Sequence, residues 1–128
     1  CVHPTRLGRH GGALVNTKYW DEERLSPDAE NDGEVTVREH VNLCKSRFRN
    51  DHRVMDPDCP CEACSQGLTR AYLHHLFKAK ETLGGTLLAH HNVCFMNRMM
   101  EGIRNGIKEG TLDEVEKEWI HPMLKEKR

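Results

Sequence analysis

The sequence predicts an α+β domain, on three observations. Its first half holds short apolar runs broken by glycine, proline and acidic loops. Its second half carries apolar residues that recur at three- and four-residue steps over long stretches. Between the two, three cysteines fall within six residues, Cys59-Pro60-Cys61-Glu62-Ala63-Cys64. Short alternating runs read as strands and four-residue recurrence reads as helix. The expected architecture is therefore a small antiparallel sheet from residues 12–50, a cysteine turn, and about three helices from residue 65 onward.

The bulk numbers narrow the class. At 128 residues there is room for one domain of ordinary size. Lys and Arg number 19 against 20 Asp and Glu, so no global basic field announces nucleic acid. Only 5% of residues are aromatic and 30% are charged, which leaves a thin core. A metal bound by the folded state alone would offset that deficit. No apolar run reaches the ~20 residues that cross a bilayer, and no signal peptide is visible. Six cysteines, three of them in a metal-type cluster, point to a reducing compartment, most simply the cytoplasm. A chain opening on Cys1 rather than Met points to a segment of a longer protein.

Residues 1–12 read as a loop, since Pro4 fixes one turn and Gly8, Gly11 and Gly12 permit conformations closed to other residues. Arg6, Arg9 and His10 make that loop positive and rich in hydrogen-bond donors. Gly12–Thr17 reads as a strand, and Tyr19–Gly33 as an acidic surface insertion. Glu34–Arg38 alternates with period two, as does Val41–Phe48 more loosely, so both read as strands. Lys45, Arg47, Arg49 and Arg53 form a basic stripe, suited to phosphates or simply to solvent. Ser65–Glu81 reads as a helix through Leu68, Tyr72 and Leu76 with Leu73 and Phe77; its His74 and His75 read as surface, supporting or subunit-contact positions. Thr86–Lys108 is the longest helix, with Leu87, His91, Phe95, Met99, Ile103 and Ile107 along one face. Gly110 and the capping-box sequence Thr111-Leu112-Asp113-Glu114 begin a last helix carrying Leu112, Val115, Trp119 and Ile120, followed by a frayed tail.

The chemistry concentrates at the cysteine turn. Zinc prefers four soft or borderline ligands in a tetrahedron, and thiolates on a tight turn supply three. A disulfide scaffold is the competing reading, but such small scaffolds do not usually hold so many helix formers. His90 and His91 lie one helix-length downstream. His91 falls on the buried stripe, whereas His90 points about a hundred degrees away, so the expected set is Cys59, Cys61, Cys64 and His91. Cys94 reads as a core thiol. Four filled positions make the metal structural, because a catalytic zinc keeps one position open. No catalytic residue is expected in the chain; Cys1, His3 and Asp21 have the residue types of a thiol-protease triad without geometry to support it.

These residues carry a resemblance. Asp56-Pro57-Asp58-Cys59-Pro60-Cys61-Glu62-Ala63-Cys64, Arg70–Leu76, Glu81-Thr82-Leu83-Gly84, His91-Asn92 and Ile103–Ile107 resemble the C-terminal zinc portion of the tRNA-guanine transglycosylases, the queuine tRNA-ribosyltransferase family. Cys1-Val2-His3-Pro4-Thr5-Arg6-Leu7-Gly8-Arg9 resembles the family segment that follows the catalytic aspartate. The resemblance implies a C-terminal fragment of a TIM (β/α)8 barrel enzyme. It divides into an active-site and RNA-binding loop at 1–11, a zinc subdomain at 12–110, and a helix packing on the barrel at 111–128. It implies exchange of the guanine at the anticodon wobble position of tRNA for a 7-deazaguanine, queuine or its precursor. It implies one structural zinc, with the family's ligand histidine directly before asparagine as in His91-Asn92. The implied partners are the tRNA anticodon loop, contacted by Thr5, Arg6, Leu7, Gly8 and Arg9, and a second subunit in a homodimer or heterodimer. The family's nucleophilic aspartate would precede Cys1, so the chain alone is expected to be inactive. The other expectation, from the Tyr19–Gly33 insertion, is a non-catalytic zinc module that binds tRNA or a partner subunit.

Overall fold

The computed structural model describes residues 3–15 and 40–119, without the side chain of Arg47. The expected strand at Glu34–Arg38, the insertion at Tyr19–Gly33, and Cys1, Asp21, Ile120 and the tail lie outside the described residues. In chain order the described elements are α1 (His3–Arg9), β1 (Gly12–Leu14), β2 (His40–Asn42), a 3-10 turn (Ser46–Phe48), α2 (Glu62–Ser65), α3 (Arg70–Lys78), α4 (Thr82–Glu109) and α5 (Leu112–Trp119). β1 and β2 pair antiparallel, with Ala13 opposite Val41. Sheet and cysteine turn both pack on the first half of α4, the axis of the molecule.

Residues 3–9 form a helix where the sequence reads as a loop. Proline fits the first turn of a helix, where its missing N–H costs nothing. Gly8 is a packing residue: a Cβ there would stand 2.5 Å from the Ala89 backbone nitrogen, so only glycine lets α1 cross α4 this closely. The strand expected over Val41–Phe48 ends at Asn42. The Asn42 side-chain oxygen accepts from the Cys44 N–H at 3.0 Å, turning the chain out of the sheet. The helix expected over Ser65–Glu81 is two helices, because Gly67 adopts a left-handed φ of 75°. Thr69 then caps α3, its hydroxyl accepting from the Tyr72 N–H at 3.1 Å.

The core runs from Ala13, Val15, Val41 and Leu43 through Phe48 and Met55 to Leu73, Leu76, Leu87 and Leu88, and includes all three clustered cysteines. Arg70 lies inside it. Its guanidinium donates to the carbonyls of Val54 at 3.3 Å and Met55 at 3.2 Å, and the backbone N–H groups of Arg70 and Ala71 bond the carbonyls of Arg53 and Asp51. The start of α3 thus holds the segment that leads into the cysteine turn. His74, expected near the surface or around the site, is buried, and its Nδ1 donates to the Leu43 carbonyl at 2.7 Å. Among the described residues no helix is long and apolar enough to cross a membrane.

Candidate metal centre

The cysteine turn is shaped before any metal is considered. The Asp56 side chain accepts from the Asp58 N–H at 2.9 Å, and its carbonyl accepts from the Cys59 N–H at 3.1 Å. Cys61 then caps α2, its sulfur accepting from the Cys64 N–H at 3.4 Å. These bonds reverse the chain over six residues, so Cys59, Cys61 and Cys64 present their sulfurs to one point. His91 reaches that point from the middle of α4. The ligand atoms of Cys59, Cys61, Cys64 and His91 all lie within 4.8 Å of one another, and all four residues are buried. His91 Nδ1 stands 3.5 Å from the Cys61 sulfur and 3.6 Å from that of Cys64.

Those separations suit a tetrahedral ion. Zinc arms of ~2.3 Å to sulfur and ~2.0–2.1 Å to nitrogen place sulfur and nitrogen about 3.5 Å apart. The tautomer also suits it. His91 Nε2 lies 2.9 Å from the Leu14 carbonyl, which can only accept, so Nε2 carries the proton and Nδ1 is turned to the sulfurs. The electrostatics describe charge shared among close sulfurs. Hydrogen bonds from Cys61 and Cys64 hold the Cys59 thiol far below its usual range. Hydrogen bonding to Cys59 and Cys61, with burial, pushes Cys64 up. Burial works against protonation of His91, yet hydrogen bonds to Cys59 and Cys61 outweigh it and raise its pKa to about 10. A divalent cation held here by Cys59, Cys61, Cys64 and His91 would take the place of those shared protons.

Arg98, one element face further along α4, supports the turn from outside. Its Nη1 donates to Asp56 Oδ2 at 3.0 Å, and its guanidinium lies 5.5 Å from the centre of the Trp119 ring. Burial opposes its charge, but Asp56 and the Cys59 thiolate hold its pKa above the ordinary value. Cys94 is half-buried against the core and stands outside the four-residue group; burial first, then the charges of Cys59 and Cys61, push its thiol up. His90 is exposed.

The five residues expected to face RNA all belong to α1. Arg6 and Arg9 are exposed, Thr5 and Leu7 are half-buried, and Gly8 is buried against α4. Of the basic stripe, Lys45 and Arg49 are exposed on the turn after β2, and Arg53 pairs with both oxygens of Asp51 at 2.9 and 2.8 Å. That pairing holds the Asp51 carboxyl below its usual pKa despite burial, the largest influence, which works the other way.

Sequence reasoning missed Asn92. It is fully buried, and its side chain spends every polar atom on backbone: Oδ1 accepts from the Leu14 N–H at 2.9 Å, and Nδ2 donates to the carbonyls of Pro4 and Gly12, each at 3.0 Å. An asparagine beside the stripe of a long helix was the available signal, since buried polar groups find partners.

Fold and site together define a small α+β domain closed around a buried Cys3His group of metal-binding geometry. A profile of the family described as queuine tRNA-ribosyltransferase matches residues 1–125. The chain belongs to that family. It is 43% identical over 114 residues to the queuine tRNA-ribosyltransferase of Synechococcus sp. (strain CC9311), covering 89% of this chain and 25% of that protein. It is 40% identical over 120 residues to the protein of the same name from Roseiflexus sp. (strain RS-1), covering 94% and 26%. The chain thus spans about a quarter of the length of these relatives.

Proposed function

We propose that this chain is the zinc-bearing C-terminal portion of a tRNA-guanine transglycosylase whose (β/α)8 barrel is supplied by a larger enzyme. The observation that carries the reading is the coincidence of family membership over residues 1–125 with a buried Cys3His group of tetrahedral spacing. The reaction is exchange of guanine at the tRNA wobble position for a 7-deazaguanine, and the working compartment is the cytoplasm, where tRNA is found.

Cys59, Cys61, Cys64 and His91 would hold one zinc ion. The ion supplies a structural crosslink between turn and helix, since all four positions are taken by protein. The chain's own residues do the rest. Arg98 and Asp56 hold the turn in shape, and His91 joins it to β1 through the Leu14 carbonyl. Residues 3–9 carry Arg6 and Arg9 outward, where a guanidinium fork can take a phosphate or a base edge bidentately. The segmentation follows: RNA-facing helix, zinc subdomain, and a last helix that packs on the barrel. The same reading allows pairing with a second, related subunit, and makes the chain inactive by itself.

The test is guanine exchange by the whole enzyme, read as incorporation of labelled guanine into tRNA. Arg6→Ala and Arg9→Ala each remove a charge-assisted hydrogen bond of ~1.5–3 kcal/mol, so kcat/KM for tRNA should fall roughly ten- to a hundredfold. Zinc content should stay at one per chain. Unchanged exchange in both variants would overturn the assignment of α1 to the RNA side.

A further inference from the structure

The metal-bearing segment of α4 also holds α1 in place, through the residue beside the metal ligand. We propose that Asn92 is a positioning residue for base exchange: it fixes the seat of α1, and with it the aim of Arg6 and Arg9. This rests on the reading of α1 as the RNA-facing element.

The argument starts from the unusual economy of the side chain. Asn92 offers two N–H donors and one acceptor oxygen to its surroundings, and all three are used on main chain 78 to 88 residues away in sequence. Two of the bonded groups, the Leu14 N–H and the Gly12 carbonyl, bracket β1; the third, the Pro4 carbonyl, belongs to the first turn of α1. Its neighbour His91 bonds the Leu14 carbonyl with Nε2 while turning Nδ1 to the sulfurs. Successive residues of one helix therefore grip the same strand, one facing the metal group and the other reaching on to α1. The other end of α1 is seated on the same helix, because Gly8 lies against the backbone of Leu88 and Ala89, and Gly85 faces Arg9. Hydrogen bonds set how α1 lies along α4, and glycine contacts set how close it comes. A pre-set helix binds RNA without the cost of ordering it at the moment of contact.

Asn92→Asp is the discriminating variant. It keeps an oxygen for the Leu14 N–H but places a carboxylate oxygen against the carbonyls of Pro4 and Gly12, so the hold on α1 is lost while the four ligands remain. In the whole enzyme, zinc content should stay at one per chain, and amide exchange in residues 5–9 should quicken at least about tenfold, as for loss of two buried hydrogen bonds. KM for tRNA should rise about tenfold with KM for guanine unchanged, a split that a general loss of stability would not produce. The double variant Asn92→Asp with Arg6→Ala should cost less than the two changes added together, since Asn92 acts through the arginine. Should Asn92→Asp fail to fold, Asn92→Ser, which keeps one donor and one acceptor, should show the same pattern at smaller size.

The outcomes separate the two claims. Unchanged amide exchange in α1 and unchanged KM for tRNA overturn the role of Asn92. Faster exchange in α1 with no effect on tRNA, together with inert Arg6→Ala and Arg9→Ala variants, overturns the RNA-facing reading and with it the catalytic relevance of Asn92, leaving only the clamp. Full additivity of the double variant overturns the route through Arg6.

Discussion

The two halves of α4 continue one stripe and end in different surroundings. From Thr82 to Phe95 the helix buries Gly84, Gly85, Leu87, Leu88, His91, Asn92 and Phe95. From Met96 to Glu109 only Gly106 is buried, and Ile107 is 67% exposed. The first half is covered by α1, β1, α3 and the cysteine turn. Among the described residues, the second half meets the Asp56 turn through Arg98 and is otherwise faced by α5, where Val115 lies against Gly106 and Trp119 against Gly102 and Phe95. That packing leaves Leu112 47% exposed and no residue of α5 buried. The difference teaches that periodicity tells which residues share a face, not which part of the face is covered. The bare half is where the proposed barrel would sit, and the filled half holds the Cys3His group inside the apolar core.

Breaking the filled half should have the largest effect. Removing zinc with a chelator, or the change Cys61→Ala, should unfold the region around the turn and the first half of α4. Structural zinc contributes on the order of 10 kcal/mol or more at neutral pH. Circular dichroism and thermal melting measure this; an unchanged melt after complete metal removal would contradict a structural role. The pH dependence has a definite sign. Metal binding requires thiolates and a His91 nitrogen without its proton, a proton that the folded cluster holds with a pKa of about 10. Protons therefore compete with the metal, and retention should weaken as pH falls.

Between the halves stands Arg98, which joins the Asp56 turn to Trp119. Arg98→Ala should leave all four ligands in place and lower zinc affinity by about ten- to a hundredfold, the usual cost of losing a partner outside the ligand set. Competition with a chromophoric chelator gives the number. An affinity equal to the parent's would mean that Asp56 holds the turn without help.

The bare half should respond least in the chain alone. Ile107→Ser changes an exposed residue, and its effect on the chain's stability should stay within about ±0.5 kcal/mol. In the whole enzyme the same change should cost more, because a barrel packed there would bury the side chain. Equal, small effects in both settings would leave the stripe without a barrel to cover it.

The spacing Cys-x-Cys-x-x-Cys and a histidine on the buried stripe of a long helix were enough to name the four residues that meet. Both features are local, because a turn and a helix set directions over a few residues. The long helix, the small sheet and the helix after Gly110 were legible for the same reason. Three features were not. Residues 3–9 looked like a loop because Gly8 reads as a breaker, and only its contact with Ala89 shows why a helix needs glycine there. His74 read as a surface, supporting or subunit-contact position and Arg70 had no assigned role, until the carbonyls of Leu43, Val54 and Met55 appeared as their partners. Asn92 stood beside the buried stripe, but its partners could not be read there, since all of them lie at least 78 residues away. Periodicity assigns a residue to a face, but a buried polar side chain is decided by whichever distant backbone groups need it. Those partners exist only once the chain has folded.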